Sequence, residues 1–294
     1  MEYLQFGNGK CTASVWLKGA QLASFKGPDG REVMWQADPA VWPNHAPVLF
    51  PVCGSTRDNK ISIDGVDYPL PKHGFTRSPI FEVAAQSEGQ VDVVLKANEE
   101  TKKMYPFDFE FHVIYTLNDA GYTTTFRVVN CSDKVMPFCV GGHPGFIVPM
   151  QEGESFTDYQ LVFPQVEDGR NSLAPNGYLI DGSEYLDCFH GTDTLPLDHA
   201  LFDARDALLF TELKSRSVKL VSKKTGKGLR FDYPDMEVLA VWTKPGANAD
   251  YLCLEPWHGM PSEVGDSGRF EDKPFVTMLQ PGCDWTGSFT MTLI

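Results

Sequence analysis

The sequence predicts a mostly β protein, a large antiparallel β-sandwich with only a few short helices. Three observations carry this. Apolar residues recur with period two through much of the 294-residue chain, turn residues punctuate the runs, and no segment offers a long amphipathic helix. Strands without interleaved helices favour antiparallel sheets over βαβ units.

Each element follows from its local pattern. Ile61 to Tyr68 carries Asp64-Gly65 between β-formers, the two-residue hairpin signal that permits positive φ at both turn positions. Val91 to Ala97 reads as a strand. From Asp108 to Leu117, Phe109, Phe111, Val113, Tyr115 and Leu117 point one way while Glu110, His112 and Thr116 point the other, which is a half-buried strand. The turn Asn118-Asp119-Ala120-Gly121 then returns the chain through Tyr122 to Val129 as a second hairpin. The stretch Leu197 to Leu213 reads either as a helix or, in better agreement with its pattern, as one helical turn followed by a strand from Ala207 to Thr211. Further strands are expected at Ser217 to Ser222, Gly228 to Tyr233, Val238 to Thr243, Tyr251 to Glu255, Phe275 to Gln280 and Ser288 to Ile294. Without a linker, charge block, low-complexity tract or repeat, residues 1–294 are expected to form one domain.

Composition narrows the function classes. The chain is 42% hydrophobic and 22% charged, which is ordinary for a folded soluble protein and far from a disordered composition. Its net charge of −14, with no run of Lys or Arg, disfavours nucleic acid and anionic membrane surfaces as partners. The same balance favours a neutral small molecule unless a local basic pocket overrides the global field. The seven cysteines are odd in number, scattered and without a CxxC pair, so they read as free thiols in a reducing compartment. The N-terminus lacks the basic and apolar regions of a signal peptide, and no stretch has the roughly 20 apolar residues of a membrane span. A cytoplasmic location is expected.

Three short motifs place an ionisable residue beside small or rigid neighbours: Lys72-His73-Gly74-Phe75, Gly141-Gly142-His143-Pro144-Gly145-Phe146 and Leu254-Glu255-Pro256-Trp257. Glycine beside histidine lets a ligand or backbone approach closely. Pro144 and Pro256 drive the preceding residue toward extended backbone, so the His143 and Glu255 side chains leave strand ends in defined directions. Each motif alone is weak, since a Gly-flanked histidine is more often a turn residue than a catalyst. Two histidines and a glutamate in such settings make a candidate site.

These motifs, in this order and spacing, resemble the aldose 1-epimerase (galactose mutarotase-like) family, in particular its LacX-like bacterial branch. The resemblance extends from Leu49-Phe50-Pro51 to the C-terminus. It implies a galactose mutarotase-type supersandwich, no required cofactor, and a small-molecule sugar, a hexose or related aldose, as substrate; the chemistry calls for no metal, and monomer and homodimer both stay open. By that resemblance Glu255 matches the general base, His143 the general acid, and His73 a second histidine that binds and polarises the sugar. Asp206 matches a substrate-binding acidic residue, with Asp203 as competitor. Relatives commonly carry an arginine soon after the glycine corresponding to Gly54, and here Arg57 stands two positions displaced.

The chemistry fits these residue types. Anomer exchange needs a proton taken from the C1 hydroxyl and another given to the ring oxygen, and a carboxylate (pKa about 4.3) and an imidazole (about 6.5) supply both near neutral pH. A nearby Glu255 anion is expected to raise the protonated fraction of His143. Trp42 and Trp257 are candidates to stack on sugar C–H faces, or to be core. His45 lies in a Pro-rich loop that could line the cleft, and His258 follows Trp257. His112 reads as a solvated or hydrogen-bonded surface residue, and His190 and His199 as surface residues. Three other readings remain: a phosphorylated-sugar epimerase, disfavoured by the acidic balance and the few arginines near the motifs; a non-catalytic sugar-binding or regulatory protein; and a metal-dependent β-barrel enzyme, disfavoured because no HxH or HxxxH pair seeds a metal site.

Overall fold

The computed structural model describes residues 3–167, 170–173, 181–203, 205–263 and 265–294. Two large sheets dominate it. The first has nine strands in the order Thr194–Pro196, Tyr159–Val162, Ser217–Ser222, Gly228–Asp232, Asp284–Leu293, Gly121–Asn130, Phe109–Leu117, Gln90–Lys96 and Glu82–Ser87. The second has eight: Asp181–Asp187, Arg170–Leu173, Ala207–Phe210, Val238–Trp242, Tyr251–His258, Val140–Gly142 and Val48–Leu49 along its path, with Gly145–Ile147 also pairing with Tyr251–His258. A three-stranded sheet (Tyr3–Gly7, Thr12–Trp16, Gln21–Lys26) and the hairpin Lys60–Ile63 with Val66–Pro69 flank them. The expected mostly β, antiparallel fold is what the chain adopts, and its two helices of α type among the described residues, Glu99–Lys102 and Ala200–Asp203, span four residues each.

Period-two patterning builds the core between the layers. Phe109, Phe111, Val113, Tyr115 and Leu117 are all buried on one face of their strand. They meet Phe50, whose ring stacks on Phe111 at 4.7 Å between centroids. Phe146, paired to the eight-stranded sheet, packs edge-on to Phe231 of the nine-stranded sheet at 5.9 Å. The hairpin at residues 64 and 65 has φ of 52° and 78°, the double positive φ that its Asp-Gly pair allows. The segment around residue 200 is one helical turn, with the Asp198 carboxylate accepting from the Ala200 N–H at 2.9 Å, and then a strand.

Several boundaries differ from the sequence reading, the strand expected from Ser288 beginning at Asp284 among them, and two of the differences have a local cause. The strand expected from Phe275 begins only at Thr277, because Phe275 has φ of 58° and cannot continue a ladder. The strand expected to end at Glu255 continues to His258 through Pro256. Proline lacks an N–H, but here its neighbouring ladder is already interrupted, with pairing only at Val140–Gly141 and again at Gly145–Ile147. All seven cysteines lie outside disulfides, five of them buried. Among the described residues, no helix is long and apolar enough to cross a membrane.

Candidate active site

The eight-stranded sheet divides its residues by parity. Leu208, Phe210, Leu239, Val241, Leu252 and Leu254 enter the apolar core, and Ala207, Leu209, Ala240, Trp242, Glu255 and Trp257 line a cleft of about 370 Å³, with Leu209, Ala240 and Trp257 packing against core residues as well. Tyr251–His258 is the central strand here, buried on both faces as far as Trp257.

The antiparallel register brings His143 and Glu255 together. Gly141 pairs with Trp257 and Gly145 with Cys253, so residue 143 falls opposite residue 255 at the interruption made by His143-Pro144. Directly opposed residues in an antiparallel pair have neighbouring side chains. His143 Nε2 lies 3.2 Å from Glu255 Oε2. The two glycines ahead of His143 are required by packing: a Cβ on Gly141 would meet Trp257 at 2.5 Å and one on Gly142 would meet the Phe289 ring at 2.8 Å. Trp42 stacks on the His143 ring at 5.0 Å, and Trp242 meets it edge-on at 5.6 Å.

His73 enters from a separate loop. Its φ of 68° is unusual for a non-glycine residue and is held by a reciprocal pair of hydrogen bonds. The His73 N–H donates to the Gly54 carbonyl at 2.8 Å, and the Gly54 N–H donates to His73 Nδ1 at 3.0 Å. A ring nitrogen that accepts from a backbone N–H is unprotonated, so the imidazole carries its proton on Nε2. His73 and His143 have ring centroids 5.8 Å apart. Gly54 packs against Pro261 so closely that a Cβ there would collide with the proline ring. Ser262 joins its N–H to the Ser55 carbonyl at 2.9 Å, and buried Lys273 donates to Ser262 Oγ at 3.0 Å. This fastens the Gly54 loop from behind.

Asp206 lines the cleft and accepts from Trp242 Nε1 at 3.2 Å, while Asp203 accepts from the Gly246 N–H and is not a lining residue. Trp257 and Trp42 both line it. Arg57 does not. It is half exposed, and its guanidinium donates to the Asp266 carbonyl at 2.9 Å, so the substrate-binding place expected for it is corrected. The arginine that lines the cleft is Arg77, with Lys72 and Lys244 as further cations on the rim. Arg77 stands four residues after His73, outside the His73-Gly74-Phe75 motif, and its position beside a Gly-bearing turn was the available signal. The few arginines near the motifs thus include one, Arg77, that lines the cleft. His45 is buried against the Trp35 carbonyl and is not a lining residue. His258 is engaged by Glu237 at 2.7 Å and Thr277 at 2.6 Å, away from the cleft. His112 is 8% exposed and bonded to Asp92, and the His199 ring stacks on Phe156, so neither is a free surface residue.

Burial sets the electrostatics. It pushes the Glu255 carboxyl well above the usual carboxylate range, against Lys72 and Arg77, which pull it down. It holds His143 well below its ordinary value, helped by Arg77 and Lys72, and does the same to His73. The expectation that Glu255 would raise the protonated fraction of His143 thus meets a stronger opposing effect, desolvation of the imidazolium. Among the described residues, ten buried side-chain polar atoms lack a hydrogen-bond partner, and four belong to this cleft: Arg77 Nε, His143 Nδ1, Glu255 Oε2 and Trp257 Nε1. The His143–Glu255 contact is close without being aligned as a hydrogen bond. Buried polar atoms are ordinarily satisfied, so such a concentration suits a polar ligand.

Comparison with known proteins identifies the family. The family profile for aldose 1-epimerases matches residues 2–287. Protein LacX (chromosomal) of Lactococcus lactis subsp. lactis is 36% identical over 99% of each chain. A galactose mutarotase related enzyme from Lactobacillus acidophilus superposes with a TM-score of 0.93 at 34% identity, covering 100% of this chain and 97% of the other. A galactose mutarotase-like protein from Lactobacillus casei ATCC 334 does so with 0.91 at 27% identity, covering 100% of both. The chain belongs to the aldose 1-epimerase family.

Proposed function

We propose that the protein is an aldose 1-epimerase that interconverts the α and β anomers of a sugar, with Glu255 as base and His143 as acid. The observation that carries this is the buried contact of 3.2 Å between Glu255 and His143, built by strand register at the floor of an open cleft. In ring opening, the Glu255 carboxylate takes the proton from the C1 hydroxyl. His143 gives a proton to the ring oxygen as the C1–O5 bond breaks to the aldehyde. The C1 carbonyl then rotates to present its other face. In reclosure His143 recovers the proton from O5 and Glu255 returns its own to O1, so the pair ends as it began. Burial favours the neutral pair, which is the protonation state that accompanies the open-chain aldehyde. Lys72 and Arg77 support the ionised carboxylate that starts the cycle. His73 donates from Nε2 to a sugar oxygen, Asp206 accepts from a sugar hydroxyl, and Trp257 and Trp42 present apolar faces to ring C–H groups.

A second reading has its own observation. Lys72, Arg77 and Lys244 line the cleft against Glu255 and Asp206, which gives this locality a positive balance inside a chain of net charge −14. That supports a sugar bearing a phosphate or carboxylate, for which arginine is the better bidentate partner. Polarimetric initial rates over neutral aldohexoses, aldopentoses and their phosphates separate the readings. The neutral-sugar reading expects acceleration with an unphosphorylated aldose, and activity confined to the phosphates contradicts it. Sugar binding without acceleration of any anomer exchange contradicts both.

A further inference from the structure

Cys253 has no part in the chemistry above, yet it stands two residues before Glu255 on the same strand and so faces the same way. It is fully buried beneath Trp42 and Tyr251. One ligand atom each from His143, Cys253 and Glu255 lie within 4.8 Å of one another. The thiol, imidazole and carboxylate are the three donor types that bind zinc, and three protein ligands with a fourth position open are the arrangement of catalytic rather than structural zinc sites. Tetrahedral coordination at ordinary bond lengths spaces N and O ligands about 3.3 Å apart and S about 3.5 Å from each. The His143–Glu255 pair already stands at 3.2 Å. Cys253 Sγ, within 4.8 Å of both, therefore has at most about 1.3 Å to close, within reach of a side-chain rotation. Glu255 Oε2 is buried without a hydrogen-bond partner, so coordination displaces no existing bond from it.

We propose that His143, Cys253 and Glu255 form an inhibitory site for a thiophilic divalent cation such as Zn²⁺ or Cd²⁺, which excludes the sugar by occupying the acid–base pair. The Cys253 thiol loses its proton to solvent on binding. Its thiolate and the Glu255 carboxylate then balance the two positive charges, which offsets the repulsion from Lys72 and Arg77. The cation is an inhibitor here and no step of anomer exchange passes through it. The inhibition rests on the proposed roles of Glu255 and His143, whereas the binding does not.

Cd²⁺ titration reads the two parts separately. The exposed thiols Cys131 and Cys283 are first replaced by serine, so that they take up no metal. In that parent, thiolate-to-cadmium ultraviolet absorption should saturate at one equivalent per chain and be absent in Cys253→Ala. Mutarotation of the parent should be inhibited competitively with sugar. The inhibition constant should weaken at least roughly tenfold in Cys253→Ala, since even outer partners of a metal site are worth 10–100-fold. Cys253→Ser, nearly the same size, serves the same purpose if the alanine variant folds poorly. Absorption that persists without Cys253, or no stoichiometric uptake by the parent, overturns the site. Stoichiometric, Cys253-dependent binding in a protein that accelerates no anomer exchange upholds the site and counts against the epimerase reading alone.

Discussion

Replacing Glu255 by glutamine keeps the shape of the cleft and removes the base. The carboxylate is 2% exposed and is opposed by His143 across the strand register, with Ala240 paired on its other side, so no nearby carboxylate on those two strands takes its place. A positioned general base is worth about 10²–10⁴-fold, or roughly 3–5 kcal/mol of barrier. Initial polarimetric rates should therefore fall by that factor in kcat, while sugar affinity by calorimetry changes little. Stability provides an independent check. Burial raises the Glu255 pKa in the folded protein, so the folded state binds its proton more tightly than the unfolded chain. A raised value means that the stability is fully present below the unfolded pKa of about 4.3 and is lost as pH rises toward the folded value. Glutamine does not titrate. The difference in Tm between Glu255→Gln and the parent should therefore grow in favour of the variant from pH 4 upward, about where the unfolded carboxyl ionises. Unchanged kcat, or a variant that loses relative stability over this interval, refutes the reasoning.

Other outcomes follow from the same geometry. His143→Gln should lower kcat by about 10²–10⁴-fold, and because acid and base act as a unit, the double variant with Glu255→Gln should fall little further. Arg77→Leu should raise KM more than it lowers kcat, and a steeper loss with charged sugars than with neutral ones would favour the second reading of the substrate. Ser262→Ala removes the acceptor of buried Lys273 and should cost about 1–3 kcal/mol in denaturant unfolding, with the cleft loop of Gly54 and His73 loosened as a consequence. His112 is held above its ordinary value chiefly by its hydrogen bond to Asp92. Its contribution to stability is thus present below about pH 6.5 and lost as pH rises through the folded value, and Asp92→Asn should flatten that part of the Tm–pH profile.

The strands were legible where one face is buried and the other is not. From Phe109 to Leu117, and at the Asp64-Gly65 turn, local pattern and tertiary environment ask for the same thing. They diverge at Pro256, where the strand expected to end at Glu255 runs on to His258 because the neighbouring ladder is interrupted at that point. The triad of Glu255, His143 and His73 could be found because glycine and proline mark each member's backbone. The proximity of His143 and Glu255 could not, since it arises from the pairing of residues more than a hundred positions apart. Arg57 and Arg77 show the converse. Both lie near a motif glycine, and only the path of the chain after Gly54 and Gly74 decides which guanidinium turns into the cleft. The strongly acidic composition pointed away from a basic pocket, yet three cations around one cleft are invisible to a sum over the whole chain.

The central claim is that this protein exchanges anomers by way of the Glu255–His143 pair. Exchange spectroscopy of the C1 protons of an aldose at equilibrium tests it most directly, because no net reaction is needed for the rate to be read. The account predicts α–β exchange cross-peaks that grow in proportion to protein concentration and vanish on Glu255→Gln. Exchange no faster than in buffer across neutral and charged aldoses, with sugar binding intact, contradicts it.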